Sequence, residues 1–229
     1  MSAFSGCSTH KLGGLSDGET PLPIPNREVK PVSADGTRGA IPRESRTPPI
    51  SLKGPDEGPF VVLRRLADSD HQAIARACDD AETARFIPGL PAPYTEADAR
   101  AFLAAAEASW VNGSAYIWAI TDGGPDLLGT IALHLGERAS VGYWVAPWAR
   151  SRGLATSAVE TLCTWALGAG GLDRLELTTD PANAASQRVA EKAGFAREGL
   201  KPGYVQTPAG PRDSVVFSRR GPATGDVRP

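Results

Sequence analysis

The stretch that decides the fold of this 229-residue chain is Val141-Gly142-Tyr143-Trp144-Val145-Ala146-Pro147-Trp148-Ala149-Arg150-Ser151-Arg152-Gly153-Leu154-Ala155-Thr156. Its first half has Val141, Tyr143 and Val145 in alternate positions, which is the period of a β-strand. Pro147 cannot donate a hydrogen bond to a sheet, so the strand should end before it. The residues that then recur at helical spacing are Leu154, Ala155, Ala158, Val159, Leu162, Cys163, Ala166 and Leu167. The stretch therefore predicts a strand, a short turn and an amphipathic helix.

The turn between this strand and this helix has the chemistry of an anion site. Gly153 and Ala155 are small, so they leave the backbone N–H groups around them accessible. The first N–H groups of a helix have no partner within it, and the helix dipole adds roughly half a positive charge there. Arg150 and Arg152 add two cations, so the turn could bind a phosphate or diphosphate. An ordinary connection with two surface arginines remains the alternative.

These residues resemble a known family. The run from Gly142 to Thr156 is similar to the acetyl-CoA signature of the GNAT acyltransferase superfamily, in the form found in Rim-type acetyltransferases of ribosomal-protein N-termini. A second block of the family's pattern follows in the right order. It comprises Asn183, Ser186, Lys192, Gly194 and Phe195. The resemblance covers about residues 60–220.

The resemblance implies an α/β GNAT fold, with a mixed sheet of about six to seven strands flanked by about four helices. We expect the acetyltransferase domain to span residues 60–220, and residues 221–229 to form a flexible tail. Residues 1–59 are rich in proline, glycine and serine and carry few large apolar side chains. Such a segment cannot bury enough surface to offset its ordering entropy, so we expect it to be disordered.

Several secondary-structure boundaries can be predicted outside the central stretch. The first strand should cover 60–66, a proline-rich loop 85–93 and a further strand 115–121. Residues 95–98 have the pattern of a cap and should begin a long helix. The last two strands should cover 195–200 and 213–219. The family resemblance implies that the central strand and the strand 174–179 separate beyond Val145, leaving backbone groups free to pair with a pantetheine arm.

Composition excludes several classes of protein. The formal net charge is -2, which gives no basic field for nucleic acid. Cys7, Cys78 and Cys163 show no paired spacing, and with three histidines in the chain no metal site is expected. No apolar run has the length to cross a membrane, and no signal peptide is evident. We therefore expect a reduced cytoplasmic protein, monomeric or homodimeric.

The resemblance also assigns residues to the acyl donor, acetyl-CoA. The Val145 backbone should hold the pantetheine arm, and the N–H groups after it should hold the diphosphate. The cofactor-binding set is Val145, Arg150, Ser151, Arg152, Gly153, Leu154, Ala155, Thr156 and Asn183. Asn183 has the chemistry to bond pantetheine amides, and a helix N-cap is its alternative role.

Catalytic and acceptor residues are assigned on the same basis. Many GNAT enzymes carry a tyrosine as proton donor where this chain has Ala190, and Rim-type relatives use a serine, here Ser186. An ordinary serine is a weak acid, so it should act by hydrogen bonding or through a water. Glu137 is the candidate general base and His134 a weaker one. Phe86, Trp144 and Tyr204 are assigned to acceptor binding.

The predicted function is therefore acetyl transfer from acetyl-CoA to a primary amine, either a protein N-terminus or a small molecule. An amine would attack the acetyl carbonyl directly, while the Val145 N–H steadies the oxyanion. The missing tyrosine at Ala190 leaves one alternative open, an acyl-CoA-binding regulatory module with little or no turnover.

Overall fold

The computed structural model describes residues 48–54, 59–208 and 210–221. Within this part of the chain there are eight strands: β1 (Ser51–Lys53), β2 (Val62–Arg65), β3 (Ala115–Thr121), β4 (Gly129–His134), β5 (Ser140–Val145), β6 (Arg174–Thr179), β7 (Ala196–Thr207) and β8 (Gly210–Arg220). The α-helices are α1 (His71–Cys78), α2 (Ala81–Phe86), α3 (Glu96–Asn112), α4 (Leu154–Leu167) and α5 (Ala184–Lys192). Short 3-10 helices cover Asp68–Asp70 and Pro147–Ala149.

All eight strands form one mixed sheet in the order β1-β2-β3-β4-β5-β6-β8-β7. Neighbours from β1 to β5 pair antiparallel, because short turns connect β3 to β4 and β4 to β5. The connection from β5 to β6 runs through α4, and these two strands are parallel, as expected for a strand–helix–strand crossover. This is the predicted α/β GNAT architecture.

The core lies between the sheet and the helices on its faces. The α4 residues Ala158, Leu162 and Ala166 are fully buried, which confirms the stripe read from the sequence. Trp118 of β3 packs edge-on against Trp165 of α4. Trp118 lies opposite Ile131 of β4, which lies opposite Tyr143 of β5, so the odd-numbered side chains of β5 are on the same face of the sheet as α4. Burying each large apolar side chain stabilises the fold by about 2 kcal/mol.

Several predicted elements are confirmed to the residue. Strands β3 and β6 have the predicted bounds, and α4 begins at Leu154. Helix α3 begins after Thr95, whose hydroxyl accepts from the Asp98 N–H while the Asp98 carboxylate accepts from the Thr95 N–H. This reciprocal capping box satisfies two N–H groups that the helix itself leaves open.

Three expectations differ from the structure. Strand β1 lies within the segment expected to be disordered, and it pairs with β2. Helix α2 enters the stretch expected to be a loop, because Asp80 caps it by accepting from the Thr83 N–H at 2.9 Å. Strands β7 and β8 are longer than predicted, because they form a long hairpin with β-bulges. Residues 1–47 and 222–229 lie outside the described residues. Among the helices that are described, none is both long enough and apolar enough to cross a membrane.

Candidate active site

Strands β5 and β6 separate almost as soon as they meet. Within the described chain, Ser140 and Glu176 are their only residue pair in register, and the Glu176 N–H donates to the Ala139 carbonyl at 2.9 Å. The sequence analysis predicted that the two strands separate beyond Val145. This position was wrong, because their register already ends at Ser140, the first residue of β5. We call the resulting opening, bounded by Tyr143 and Val145 on β5 and by 177–179 on β6, the fork.

Backbone groups of β5 face into the fork. The Ala146 N–H donates to the Leu128 carbonyl at 2.8 Å, on the β4 side. Successive N–H groups of a strand point to alternate edges, so the N–H groups of Val145 and Tyr143 point away from β4 and toward the gap. An extended amide-bearing ligand could pair with this edge as an added strand would.

The N-terminus of α4 lies close to the C-terminal end of β5. The first hydrogen bond into the helix runs from the Ser157 N–H to the Gly153 carbonyl at 3.1 Å. The N–H groups of 154–156 have no hydrogen-bond acceptor among the residues that the structure describes. Gly153 is left-handed, with φ 76°, and Ser151 also has a positive φ of 61°. Such strain in a non-glycine residue is typical of binding turns.

Two side chains border this turn. A Cβ built on Gly153 would lie 2.8 Å from Cγ of Pro59, so a side chain here meets a neighbour as well as an unfavourable φ. Arg152 donates to the Asp122 carboxylate at 3.2 Å, and its side chain is about half exposed. Arg152 therefore lies at the surface of the turn, beside the connection between β3 and β4.

Arg150 does not face the turn as its place in the signature predicts. Its guanidinium donates to the Asp80 carboxylate, to the Glu82 carboxylate and to the Thr83 hydroxyl, each at 2.7 Å. All three partners belong to the N-terminus of α2. Two carboxylates already neutralise this cation, and its contact with a phosphate stays a prediction.

Helix α5 begins beside the fork. The Asn183 side-chain oxygen accepts from the Ser186 N–H at 3.0 Å, so Asn183 is the N-cap of α5. Its amide NH2 group has no partner among the described residues, and this leaves two donors for a ligand. The N-cap and the predicted pantetheine contact therefore use different atoms of one side chain.

Ser186 lies in the first turn of α5, and its hydroxyl is 2.9 Å from the hydroxyl of Tyr143 on β5. The contact spans the fork, since one residue belongs to one strand and the other to the helix that follows the opposite strand. Burial raises the pKa of Tyr143 to about 12. Sequence reasoning assigned no role to Tyr143. Its position on the same face as Val145 was the available signal.

The opposite face of the sheet carries a second polar cluster, formed by Glu176, Tyr204, Arg138 and Arg174. Glu176 is buried, accepts from the Tyr204 hydroxyl at 2.7 Å and lies 3.4 Å from the Arg174 guanidinium. Arg138 donates to the Tyr204 hydroxyl and lies 3.6 Å from Glu176. Burial and the Glu176 carboxylate raise the pKa of Tyr204 to about 12. A lone acidic residue between Leu175 and Leu177 was the sequence signal for Glu176.

The remaining predicted site residues have different surroundings. Glu137 is exposed in the turn between β4 and β5. Phe86 is half-buried as the last residue of α2. Trp144 is buried on β5, and its side chain lies on the opposite face from Tyr143. Their roles with an acceptor stay predictions.

One further atom tests whether the fork fits a ligand. The Thr179 hydroxyl at the end of β6 is buried and has no hydrogen-bond partner within the described part of the chain. An unpaired buried polar group costs about 1–3 kcal/mol. The open N–H groups of β5 and α4 are further hydrogen-bonding groups without a partner among the described residues. The residues present therefore fit a long ligand with amides at one end and phosphates at the other.

This mixed sheet, forked between two parallel strands and with an open helix N-terminus beside the gap, has the α/β architecture that the sequence resemblance implied for an acetyltransferase of the GNAT class. Residues 61–196, more than half of the chain, match the family described as Acetyltransferase (GNAT) domain. The protein belongs to this family of GNAT acetyltransferases.

Known proteins similar to this chain agree with that assignment. The uncharacterized N-acetyltransferase YoaA of Bacillus subtilis is 27% identical over 163 residues, which are 69% of this chain and 92% of YoaA. The structure of Mycobacterium smegmatis RimJ in complex with CoA-disulfide has a TM-score of 0.64 and 25% identity, and the match covers 74% of this chain and 85% of RimJ. The self-immunity acetyltransferase MccE, solved with acetyl-CoA and AMP, has a TM-score of 0.66 at 18% identity over 76% of this chain and 98% of MccE, a likeness of fold alone.

Proposed function

We propose that this protein transfers an acetyl group from acetyl-CoA to a primary amine, in a ternary complex and without a covalent enzyme intermediate. The observation that carries the proposal is the fork, where the Val145 N–H points into a gap that none of the described strands fills. The relative RimJ was solved with a CoA derivative, and YoaA is named as an N-acetyltransferase. The RimJ complex supports acetyl-CoA as the acyl donor, and the name of YoaA supports acetyl transfer to nitrogen.

Most of the proposed contacts with acetyl-CoA use groups that have no hydrogen-bond partner among the described residues. The N–H groups of 154–156, at the positive end of the α4 dipole, would hold the diphosphate. Arg152 is close enough to the surface of the turn to add charge. The Asn183 amide and the β5 edge would pair with the pantetheine amides, and the buried Thr179 hydroxyl would gain a partner.

The chemistry requires a polarised carbonyl, a neutral amine and a stabilised thiolate. The Val145 N–H would donate to the carbonyl oxygen as negative charge develops on it. Ser186 would donate a hydrogen bond to the departing sulfur. Glu137 remains the proposed base for the amine, directly or through water, and Tyr204 would orient the acceptor from the opposite face. The acceptor is a protein N-terminus or a small amine.

The test measures binding and turnover separately. Acetyl-CoA at about 100 times its Kd should stabilise the fold by about 2.7 kcal/mol, and this appears as a rise in Tm. Release of free thiol is then followed across peptides with a free N-terminus and across small primary amines. Amine-dependent thiol release supports the proposal, and no binding of acetyl-CoA refutes it.

A binding module without turnover is the second candidate. It is favoured by Ala190, which is fully buried and replaces the tyrosine of many GNAT enzymes. Tight binding of acetyl-CoA with no thiol release from any amine would select this candidate over the enzyme.

A further inference from the structure

The Tyr143–Ser186 contact connects β5 to α5 across the fork. Tyr143 extends from β5 on the α4 face, and Ser186 occupies the first turn of α5. Their hydroxyl oxygens are 2.9 Å apart. Within the described chain no other partner of the Ser186 hydroxyl is present, so the pair is isolated from the polar cluster on the opposite face.

Both hydroxyls can donate or accept in this hydrogen bond. The greater acidity of a phenol favours the arrangement in which Tyr143 donates and Ser186 accepts. The raised pKa of Tyr143, caused by burial, keeps its proton in place throughout the neutral range. A serine on a helix often donates to the carbonyl four residues earlier, but no such bond is present for Ser186 in the described residues. Its own hydrogen is therefore available to the fork.

We propose that Tyr143 is a positioning residue that holds the Ser186 hydroxyl with its hydrogen directed at the departing sulfur. The inference rests on the proposed function. During transfer a C–N bond forms and the C–S bond breaks, the sulfur keeps the bonding electron pair, and the amine proton leaves to base or water. Ser186 stabilises the thiolate by a hydrogen bond, while Tyr143 keeps its proton and polarises Ser186.

The experiment is a double-mutant cycle on the full chain with the variants Tyr143→Phe, Ser186→Ala and both together. A hydrogen bond to a developing anion corresponds to a loss of about 10-fold to 100-fold in kcat. We expect each single variant to show such a loss, with the Kd for acetyl-CoA nearly unchanged. The double variant should be no slower than Ser186→Ala, because Tyr143 acts only through Ser186.

The matched control is Tyr116→Phe, which removes a phenol from β3 at a site away from the fork. It should keep the wild-type kcat, and Tm measurements should show that all variants fold. Additive losses in the double variant, or a Tyr143→Phe variant as fast as wild type, would overturn the role of Tyr143. A wild type that binds acetyl-CoA but never releases thiol would instead refute the proposed function, and the role of Tyr143 with it.

Discussion

The guanidinium of Arg150 and the carboxylate of Asp80 meet at 2.7 Å, although 70 residues separate them in the chain. The contact joins the turn before α4 to the N-cap of α2. Burial acts to raise the pKa of Asp80, but hydrogen bonds from Arg150 and Thr83 outweigh it and leave that pKa lowered. The first arginine of the family signature thus links the turn before α4 to helix α2, which ends at Phe86, a residue assigned to acceptor binding from the sequence.

Replacing Arg150 should therefore affect stability and acceptor use more than cofactor binding. We expect Arg150→Ala to destabilise the fold by about 1 kcal/mol, because its partners are partly exposed. The Kd for acetyl-CoA should change by less than about threefold, while KM for the amine rises. Calorimetric titration and amine kinetics measure these quantities. Arg197→Ala, on the exposed face of β7, is the control. A large loss of acetyl-CoA affinity in Arg150→Ala would contradict this prediction and support Arg150 as a phosphate ligand.

Gly153 permits a comparison of two substitutions that share the same backbone strain. Gly153→Ala and Gly153→Glu both place a Cβ at positive φ and close to Pro59, at a cost of about 1–2 kcal/mol. The glutamate adds a negative charge beside the open N–H groups. We expect its Kd for acetyl-CoA to exceed that of the alanine variant by at least about tenfold. Equal affinities in the two variants would place the diphosphate elsewhere.

The secondary-structure elements that could be predicted from the sequence are those whose own residues carry a clear pattern. The bounds of β3 and β6 and the start of α4 follow from periodicity, a proline and a glycine, and all were correct. Helix α2 was missed because it is short and buries only Thr83, so it has no apolar stripe. Periodicity carries no information on which distant residues meet.

In the candidate site too, the motif predicted local positions but not the contacts between distant residues. The motif correctly placed the turn at Gly153 and the serine of α5, but the partners of Arg150 and Ser186 lie far away in the chain. The start of the fork could not be read either, because it depends on where β5 and β6 stop pairing rather than on their composition. A family pattern names residues, and only the fold decides what their side chains contact.

The two possible roles of Asn183 can be separated by substitution. Asn183→Ala removes the N-cap and should destabilise the protein by about 1 kcal/mol. Asn183→Asp keeps an oxygen for the Ser186 N–H but loses the NH2 donors, so stability should be preserved. We expect both variants to bind acetyl-CoA more weakly, measured by titration alongside urea unfolding. Wild-type affinity in Asn183→Asp would leave the N-cap as the role of this residue.

Alkaline pH should destabilise the fold through its buried thiols. Burial raises the pKa of Cys78 and Cys163 from 9.0 to about 12. An acid whose pKa is raised by folding contributes full stability below pH 9, and that contribution is lost as pH rises toward 12. The loss should reach about 1.4 kcal/mol per pH unit for each thiol. Urea unfolding at pH 8–11 under reducing conditions measures it, and Cys163→Ala should reduce the slope. An unchanged slope would contradict the assignment.

The single residue pair between β5 and β6 has a mechanical consequence. With Ser140 and Glu176 as the connection at this point, strands β1–β5 and β6–β8 form two halves of a sheet that share little backbone bonding. Resistance to local opening depends on such bonds. An elongated molecule that is hydrogen-bonded to both edges would connect the two halves. Binding of such a molecule in the fork would therefore make the two halves unfold more cooperatively.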